Sequence, residues 1–195
     1  MKNIKSKNKI YIFDFDNTLS NGDSFVRFTL QMFNFSLFMK YWISVILLFP
    51  FYPKSKLKES FFKNLKGMEI KEFDSICHNF YKKRMMKLIK PSFLIYLELI
   101  DDDSDIVVVS ASIKNYLKPW CDEMGFDLIS TEIEVLNGKL TGRFSTPNCN
   151  GKEKVRRIKE KYDLSEFVEI HVFGNSKGDF PMLELGTHKY YKFFK

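Results

Sequence analysis

The stretch "YIFDFDNTLSNGDS", residues 11–24, opens as an apolar strand and then sets Asp14 and Asp16 two positions apart, with Thr18 two further on. Taken with the two residues before it, "KIYIF" (9–13) is a short run of β-branched and aromatic residues of the kind found in strands buried on both faces. The run stops at Asp14. A buried strand that ends in two acids calls for a chemical reason, and the other strands of the chain point to one.

Two further runs have the same character. "DIVVVSAS" (105–112) is a second buried strand with Ser110 near its end, and "VEIHVFG" (168–174) is a third, followed by Asn175 and Asp179. Helical patterns separate them. From Asp23, where "GDSF" supplies an N-cap, to about Pro91 the chain is helical and rich in Phe, Met and Lys, broken at Pro50, Pro53 and Gly67. "PSFLIYLELIDDDS" (91–104) is a helix with proline in its first turn, "GKEKVRRIKEKY" (151–162) is a basic helix, and "GDFPMLELG" (178–186) is a short one after a loop. "STEIEVLNGKLTGRFS" (130–145) alternates about Asn137-Gly138, the strongest short hairpin signal. Strands alternating with helices predict an α/β fold: an open, mostly parallel sheet core (1–22 and 92–195) with a helical insertion after the first strand (23–91) and a β-hairpin appendage.

Composition sets wider bounds. A chain of 195 residues with 45% hydrophobic and 16% aromatic content buries a substantial core. Thirty-one Lys and Arg against 24 Asp and Glu give a net charge of +7, which favours phosphorylated metabolites, acidic membrane surfaces or nucleic acid as partners. The nucleic-acid option is the poorest, since no binding motif or interleaved basic and aromatic platform is present. Cys77, Cys121 and Cys149 are odd in number and form no CxxC pair, so neither a disulfide framework nor a zinc site is indicated and a reducing cytoplasm fits. The basic "MKNIKSKNKI" is followed by an apolar run that Asp14 cuts short, so no signal-peptide core is expected.

In a parallel α/β sheet ligands bind beyond the carboxyl ends of the strands. The residues there are Asp14 and Asp16, Ser110, then Asn175 and Asp179, with Lys152 and Lys154 opening the preceding helix. Carboxylate and amide oxygens suit Mg²⁺, a hard ion, while a hydroxyl and an ammonium suit phosphate oxygens. Three strand ends thus converge on one phosphoryl group.

The run "DFDNTL" (14–19), the strand ending "VVVSAS" (107–112), the helix opening "GKEKV" (151–155) and the loop "GNSKGDFPML" (174–183) resemble the four motifs of the haloacid dehalogenase superfamily of phosphatases, in order and at fitting separations. Within them "SASIKNYLKPW", the hairpin and "CNGKEKVRR" resemble the branch that includes phosphoserine phosphatase and a bacterial phosphatidylglycerophosphate phosphatase. The resemblance implies a Rossmann-like core with residues 23–91 as its helical cap, Asp14 as nucleophile, Asp16 as general acid and base, Ser110, Ala111 and a lysine as phosphate binders, and a Mg²⁺ site drawn from Asp14, Asp16, Asn175 and Asp179. Spacing to the last loop selects Lys152, whereas the "GxEKV" form selects Lys154, so both are candidates. One departure stands out: the last motif begins Gly174-Asn175 where the family has Gly-Asp, with Asp179 four residues on. An amide oxygen ligates Mg²⁺ without bringing charge, so the ion would be held more weakly.

A carboxylate attacks phosphorus only if the repulsion between anions is neutralised, which Mg²⁺ would do. Residues two apart on an extended segment project to the same side, so Asp16 can protonate the leaving oxygen and later take a proton from water. Thr18 fixes the loop by local hydrogen bonding. Substrate is less determined. Asp23 falls where phosphoserine phosphatases carry a glutamate that reads the substrate amine, but "GDSF" is also an ordinary N-cap. The stretch "FTLQMFNFSLFMKYWISVILLFPFYP" (28–53) carries one charge, Lys40, in 26 residues. Its uninterrupted part, "YWISVILLFPFY" (41–52), is 12 residues long, short of the roughly 20 needed to span a bilayer. It is either buried cap core or an interfacial segment, the latter favoured by the cationic flanks "KSKLK" and "YKKRMMKLIK". The ligand is accordingly a phosphorylated small molecule or a lipid head group, the latter met by peripheral membrane contact through the cap.

Overall fold

The computed structural model describes residues 7–32 and 54–195. The apolar stretch around Trp42, on which the membrane expectation rests, lies outside the described residues. Five strands form one sheet: β1 (Lys7–Phe13), β2 (Asp105–Ile113), β3 (Asp127–Thr131), β6 (Phe167–Gly174) and β7 (His188–Tyr191), in the order β3-β2-β1-β6-β7. Every pairing in it is parallel. The chain runs from β1 outward to β2 and β3, then returns to β6 on the other side of β1. That reversal opens a crevice at the carboxyl end of β1, where Asp14 follows the last strand residue.

The alternation within each strand divides its side chains between two apolar layers. Ile10, Ile12, Val107, Val109, Ile170 and Val172 face one layer, closed by Ile158 of α6 (Lys152–Lys161) and by Met182 and Leu183 of α7 (Phe180–Leu183). Tyr11, Phe13, Val108 and Phe173 face the other, against Phe93 of α4 (Pro91–Leu97) and Tyr116 and Trp120 of α5 (Lys114–Met124). The three cysteines are buried free thiols. Burial pushes the Cys121 thiol up to about 12 and that of Cys149 to about 11, which leaves both uncharged and unreactive at neutral pH.

Between β1 and β2 the described helices are α1 (Ser24–Met32), α2 (Lys54–Lys63) and α3 (Ile70–Phe80), the last continuing through a wide turn at Tyr81–Met85 to Leu88. Phe25, Phe28, Phe61, Phe62, Phe73 and Phe80 from these helices join the same apolar cluster as Phe13, Tyr116 and Trp120. Edge-to-face pairs such as Phe28 with Phe73 and Phe80, and a stacked pair of Phe28 on Tyr116 at 4.8 Å, lock the helical layer to the core.

The expected hairpin is present as β4 (Ile133–Leu136) and β5 (Lys139–Phe144), turning through Asn137 (φ 50°) and Gly138 (φ 77°), the paired left-handed conformations of a type I′ turn. It is clamped to the helical layer. Gly67 N–H donates to the Leu140 carbonyl (2.8 Å), Leu140 N–H to that of Met68 (2.9 Å) and Ile70 N–H to that of Gly138 (2.8 Å). None of the helices among the described residues is long and apolar enough to cross a membrane.

Candidate active site

Asp14 is held at the end of β1 by its own amide, which donates to the Phe173 carbonyl (2.9 Å) and extends the β1/β6 ladder by one residue. The chain then leaves the sheet in a tight loop. Asn17 takes the left-handed conformation (φ 61°), which asparagine tolerates, and Ser20 N–H closes the turn onto the Phe15 carbonyl (3.1 Å). The Thr18 hydroxyl donates to Asp14 Oδ2 (2.7 Å), the local bond expected of it. Asp23 caps α1, since its Oδ1 accepts from the amides of Phe25 (2.9 Å) and Val26 (3.3 Å).

Lys154 lies in the first turn of α6, 1% exposed, and its ammonium donates to Asp14 Oδ1 (2.6 Å) and Asp179 Oδ1 (2.7 Å). Asp179 Oδ2 accepts from the amides of Asn175 (3.2 Å) and Ser176 (2.9 Å) and from the Ser176 hydroxyl (2.7 Å). Three of these four donors share Oδ2, while Oδ1 accepts from Lys154 alone and keeps a second lone pair. The loop closes this tightly because residue 174 is glycine: a Cβ there would stand 2.5 Å from Asp179 Cβ. The Asn175 side chain points back to β1, its Nδ2 donating to the main-chain carbonyl of Asp16 (3.0 Å).

These residues line a cleft of about 420 Å³, walled by Asp14, Asp16, Asn17, Asp23, Lys58, Ala111, Asn148, Asn150, Lys154, Asn175, Ser176 and Asp179. The model of the haloacid dehalogenase-like hydrolases matches residues 11–184, which takes in every wall of it. The chain belongs to that family. Protein CicA of Caulobacter vibrioides is 26% identical over 194 residues, an alignment covering 94% of this chain and 85% of that protein. A protein of unknown function from Bordetella pertussis Tohama I superposes with a TM-score of 0.80 at 19% identity, covering 93% of this chain and 88% of that one. A substrate-bound phosphoserine phosphatase superposes with a TM-score of 0.60 at 18% identity, covering 92% and 83%.

Of the residues expected from the sequence, the fold brings Asp14, Asp16, Ala111, Lys154, Asn175 and Asp179 to the walls of one cleft. Lys152 is exposed and is not among them. Ser110 is fully buried behind the wall, its Oγ accepting from Ser112 N–H (3.0 Å). Sequence inspection missed Lys58, whose Nζ reaches the Ala111 carbonyl at 3.4 Å and lies 5.3 Å from the Phe25 ring centroid. It also missed Ser112, Asn148 and Asn150. Ser112 alone carried a signal, standing two residues beyond Ser110 in the same strand.

The electrostatics follow from burial. Burial pushes the Asp14 carboxyl up to about 6, against the opposing pull of Lys154. It still leaves the group mostly ionised at pH 7. Burial also raises Asp179, but Lys154 and the Ser176 donors outweigh it and hold that carboxyl below its ordinary value. Burial alone would discharge Lys154, yet Asp14 and Asp179 together hold its ammonium well above the usual lysine range. Asp23 is raised by burial and by Asp16, with Lys58 opposing. Counted at formal charge, four carboxyl groups and two ammonium groups among the walls leave two net negative charges beside several amide oxygens. That donor set, hard oxygens with a charge surplus of two, fits a divalent cation such as Mg²⁺.

Proposed function

We propose that this protein is a Mg²⁺-dependent phosphatase that hydrolyses a phosphate monoester through a phosphorylated Asp14. The observation that carries the proposal is Asp14 at the switch point of the sheet, buried and braced by Lys154 and Thr18. Asp14, the Asp16 carbonyl and Asn175 would hold the ion, with the uncommitted lone pair of Asp179 Oδ1 as a further donor. When bound, Mg²⁺ supplies charge neutralisation between nucleophile and phosphate.

An Asp14 carboxylate oxygen forms the new bond to phosphorus as the ester P–O bond breaks, and Asp16 delivers its proton to the departing oxygen. Asp16, now a carboxylate, takes a proton from a water whose oxygen attacks the phosphorus of the acyl phosphate, releasing inorganic phosphate and restoring Asp14. Lys154 and the backbone beside Ala111 stabilise charge on the equatorial oxygens, with Ser110 fixing that strand end from behind. Lys152, exposed, is left out of this role.

The test is turnover of p-nitrophenyl phosphate with and without Mg²⁺. Turnover undiminished in Asp14→Asn would rule the mechanism out, and Asp16→Asn is expected to slow the reaction about a hundredfold or more. For the substrate, a phosphorylated small molecule of the cytoplasm and a phosphorylated lipid head group share the chemistry this cleft recognises. Sedimentation with anionic vesicles in a salt-sensitive way, and faster hydrolysis of lipid phosphates than of soluble monoesters, would favour the lipid.

A further inference from the structure

Asp16 reaches the cleft from a fixed mount. Its Oδ1 accepts from Ser24 N–H (2.7 Å), the first residue of α1, and its Oδ2 accepts from the Ser112 hydroxyl (2.6 Å) near the end of β2. The Ser112 and Ser24 hydroxyl oxygens are 3.2 Å apart, and Ser24 Oγ is 3.2 Å from the Tyr116 hydroxyl. Ser24, Ser112 and Tyr116 are each 0% exposed.

Each hydroxyl has one proton to give, which fixes the direction of the chain. Ser112 gives its proton to Asp16, so Ser24 must donate to Ser112, and Tyr116 to Ser24. The phenol ends the series inside the apolar cluster, stacked on Phe28. Asp16 is therefore met by two donors at once, one of them at the head of a one-way chain rooted in the core. The chain also joins three elements, α1, β2 and α5.

We propose that Ser112 is a positioning residue for Asp16, with Ser24 and Tyr116 as its supports, and that through Ser24 the first turn of the helical layer sets the aim of the proton-transferring carboxylate. The inference builds on Asp16 as the acid and base of the proposed reaction, but the mount itself is a separate physical claim. A hydrogen bond to a charged group lost from a buried site carries enough energy to let the carboxylate swing away, and in an enzyme a small misplacement lowers kcat rather than binding.

The experiment compares wild type with Ser112→Ala, Tyr116→Phe and Ser130→Ala. Ser130 is the control: a buried serine in neighbouring β3 whose hydroxyl has no partner, so its loss removes a similar volume and no hydrogen bond. Two readouts are taken on each protein: kcat and KM for p-nitrophenyl phosphate, and hydrogen exchange at the Ser24 amide, which reports the bond to Asp16 without needing activity. Ser112→Ala is expected to lower kcat about ten- to a hundredfold with KM nearly unchanged, and to speed Ser24 exchange about tenfold. Tyr116→Phe is expected to move both in the same direction by less, and it carries the test if Ser112→Ala does not fold. Ser130→Ala is expected to move neither. Wild-type rates in Ser112→Ala and Tyr116→Phe, or equal losses in Ser130→Ala, would overturn the mount. If the wild type hydrolyses no monoester, the proposed function fails while Ser24 exchange still decides the mount.

Discussion

Replacing Lys154 with methionine keeps its volume and removes its charge. The ammonium stands 2.6 Å from Asp14 and 2.7 Å from Asp179, with all three side chains under a tenth exposed. At an effective dielectric of ~20 each contact is worth about 6 kcal/mol of attraction. Most of that is cancelled by the several kcal/mol per ion lost in leaving water. What the substitution exposes is the remainder, two buried carboxylates without a cation, and removing one partner of such a group destabilises by about 3–5 kcal/mol. For a chain of this size that is a fall in Tm of roughly 6–20 °C. The loss has a pH signature. Without Lys154 the Asp14 carboxyl, already at about 6, rises further above its unfolded value of 3.8. A raised carboxyl pKa means that the folded state binds the extra proton, so stability is retained at low pH and lost as pH rises through the folded value. The gap between wild type and Lys154→Met should therefore be smaller at pH 5 than at pH 8. Urea denaturation of both proteins at the two pH values, in metal-free buffer, measures it. A loss below about 1 kcal/mol, or a gap that does not widen from pH 5 to pH 8, would refute the buried triad as the centre of the site.

Three other outcomes are expected. Asn175→Asp replaces a dipole with a charge beside the Asp16 carbonyl, so half-maximal activity should need less Mg²⁺; an unchanged or greater requirement would show that position 175 does not face the ion. Gly174→Ala puts a Cβ 2.5 Å from Asp179, and loss of activity together with a lowered Tm is the expected result; wild-type stability would show that the loop has room to spare. Glu153, 15% exposed, is held down to about 2 by hydrogen bonds from Arg156, and also by Arg157, from an ordinary value of 4.5. A depressed carboxyl pKa stabilises above the unfolded value and the benefit fades as pH falls toward 2, so Glu153→Gln should cost about 1–2 kcal/mol at pH 7 and progressively less below pH 4.5; a constant difference would discount the pair.

The central strands were legible because each is a continuous apolar run that only a doubly covered sheet can bury, and the strand-end acids were legible because nothing else in the chain explains them. The edges were not. β3 is five residues long and its last two were absorbed into the alternation of the hairpin, while β7 is four residues, "HKYY", with no apolar periodicity to mark it. Register is equally invisible in a sequence: His171 and His188 are 17 residues apart, yet β6 and β7 place them directly opposite, their rings stacked at 4.4 Å. The same limit explains the choice between lysines. Lys152 and Lys154 are both in the first turn of α6, and only the direction of the helix shows that Lys154 turns inward and Lys152 outward. Ser112 was overlooked because its partner Asp16 is 96 residues away.

The most direct measurement is mass spectrometry of enzyme quenched in acid during turnover of p-nitrophenyl phosphate with Mg²⁺. The tryptic peptide 10–27 contains Asp14, Asp16 and Asp23, and borohydride reduction marks whichever aspartate carries the acyl phosphate. Because reduction expels the phosphate and turns the acylated aspartate into homoserine, the expected result is this peptide with homoserine at residue 14, absent without substrate and missing from Asp14→Asn. Turnover with no homoserine in the peptide, or with homoserine in place of Asp16 or Asp23, would contradict Asp14 as the nucleophile.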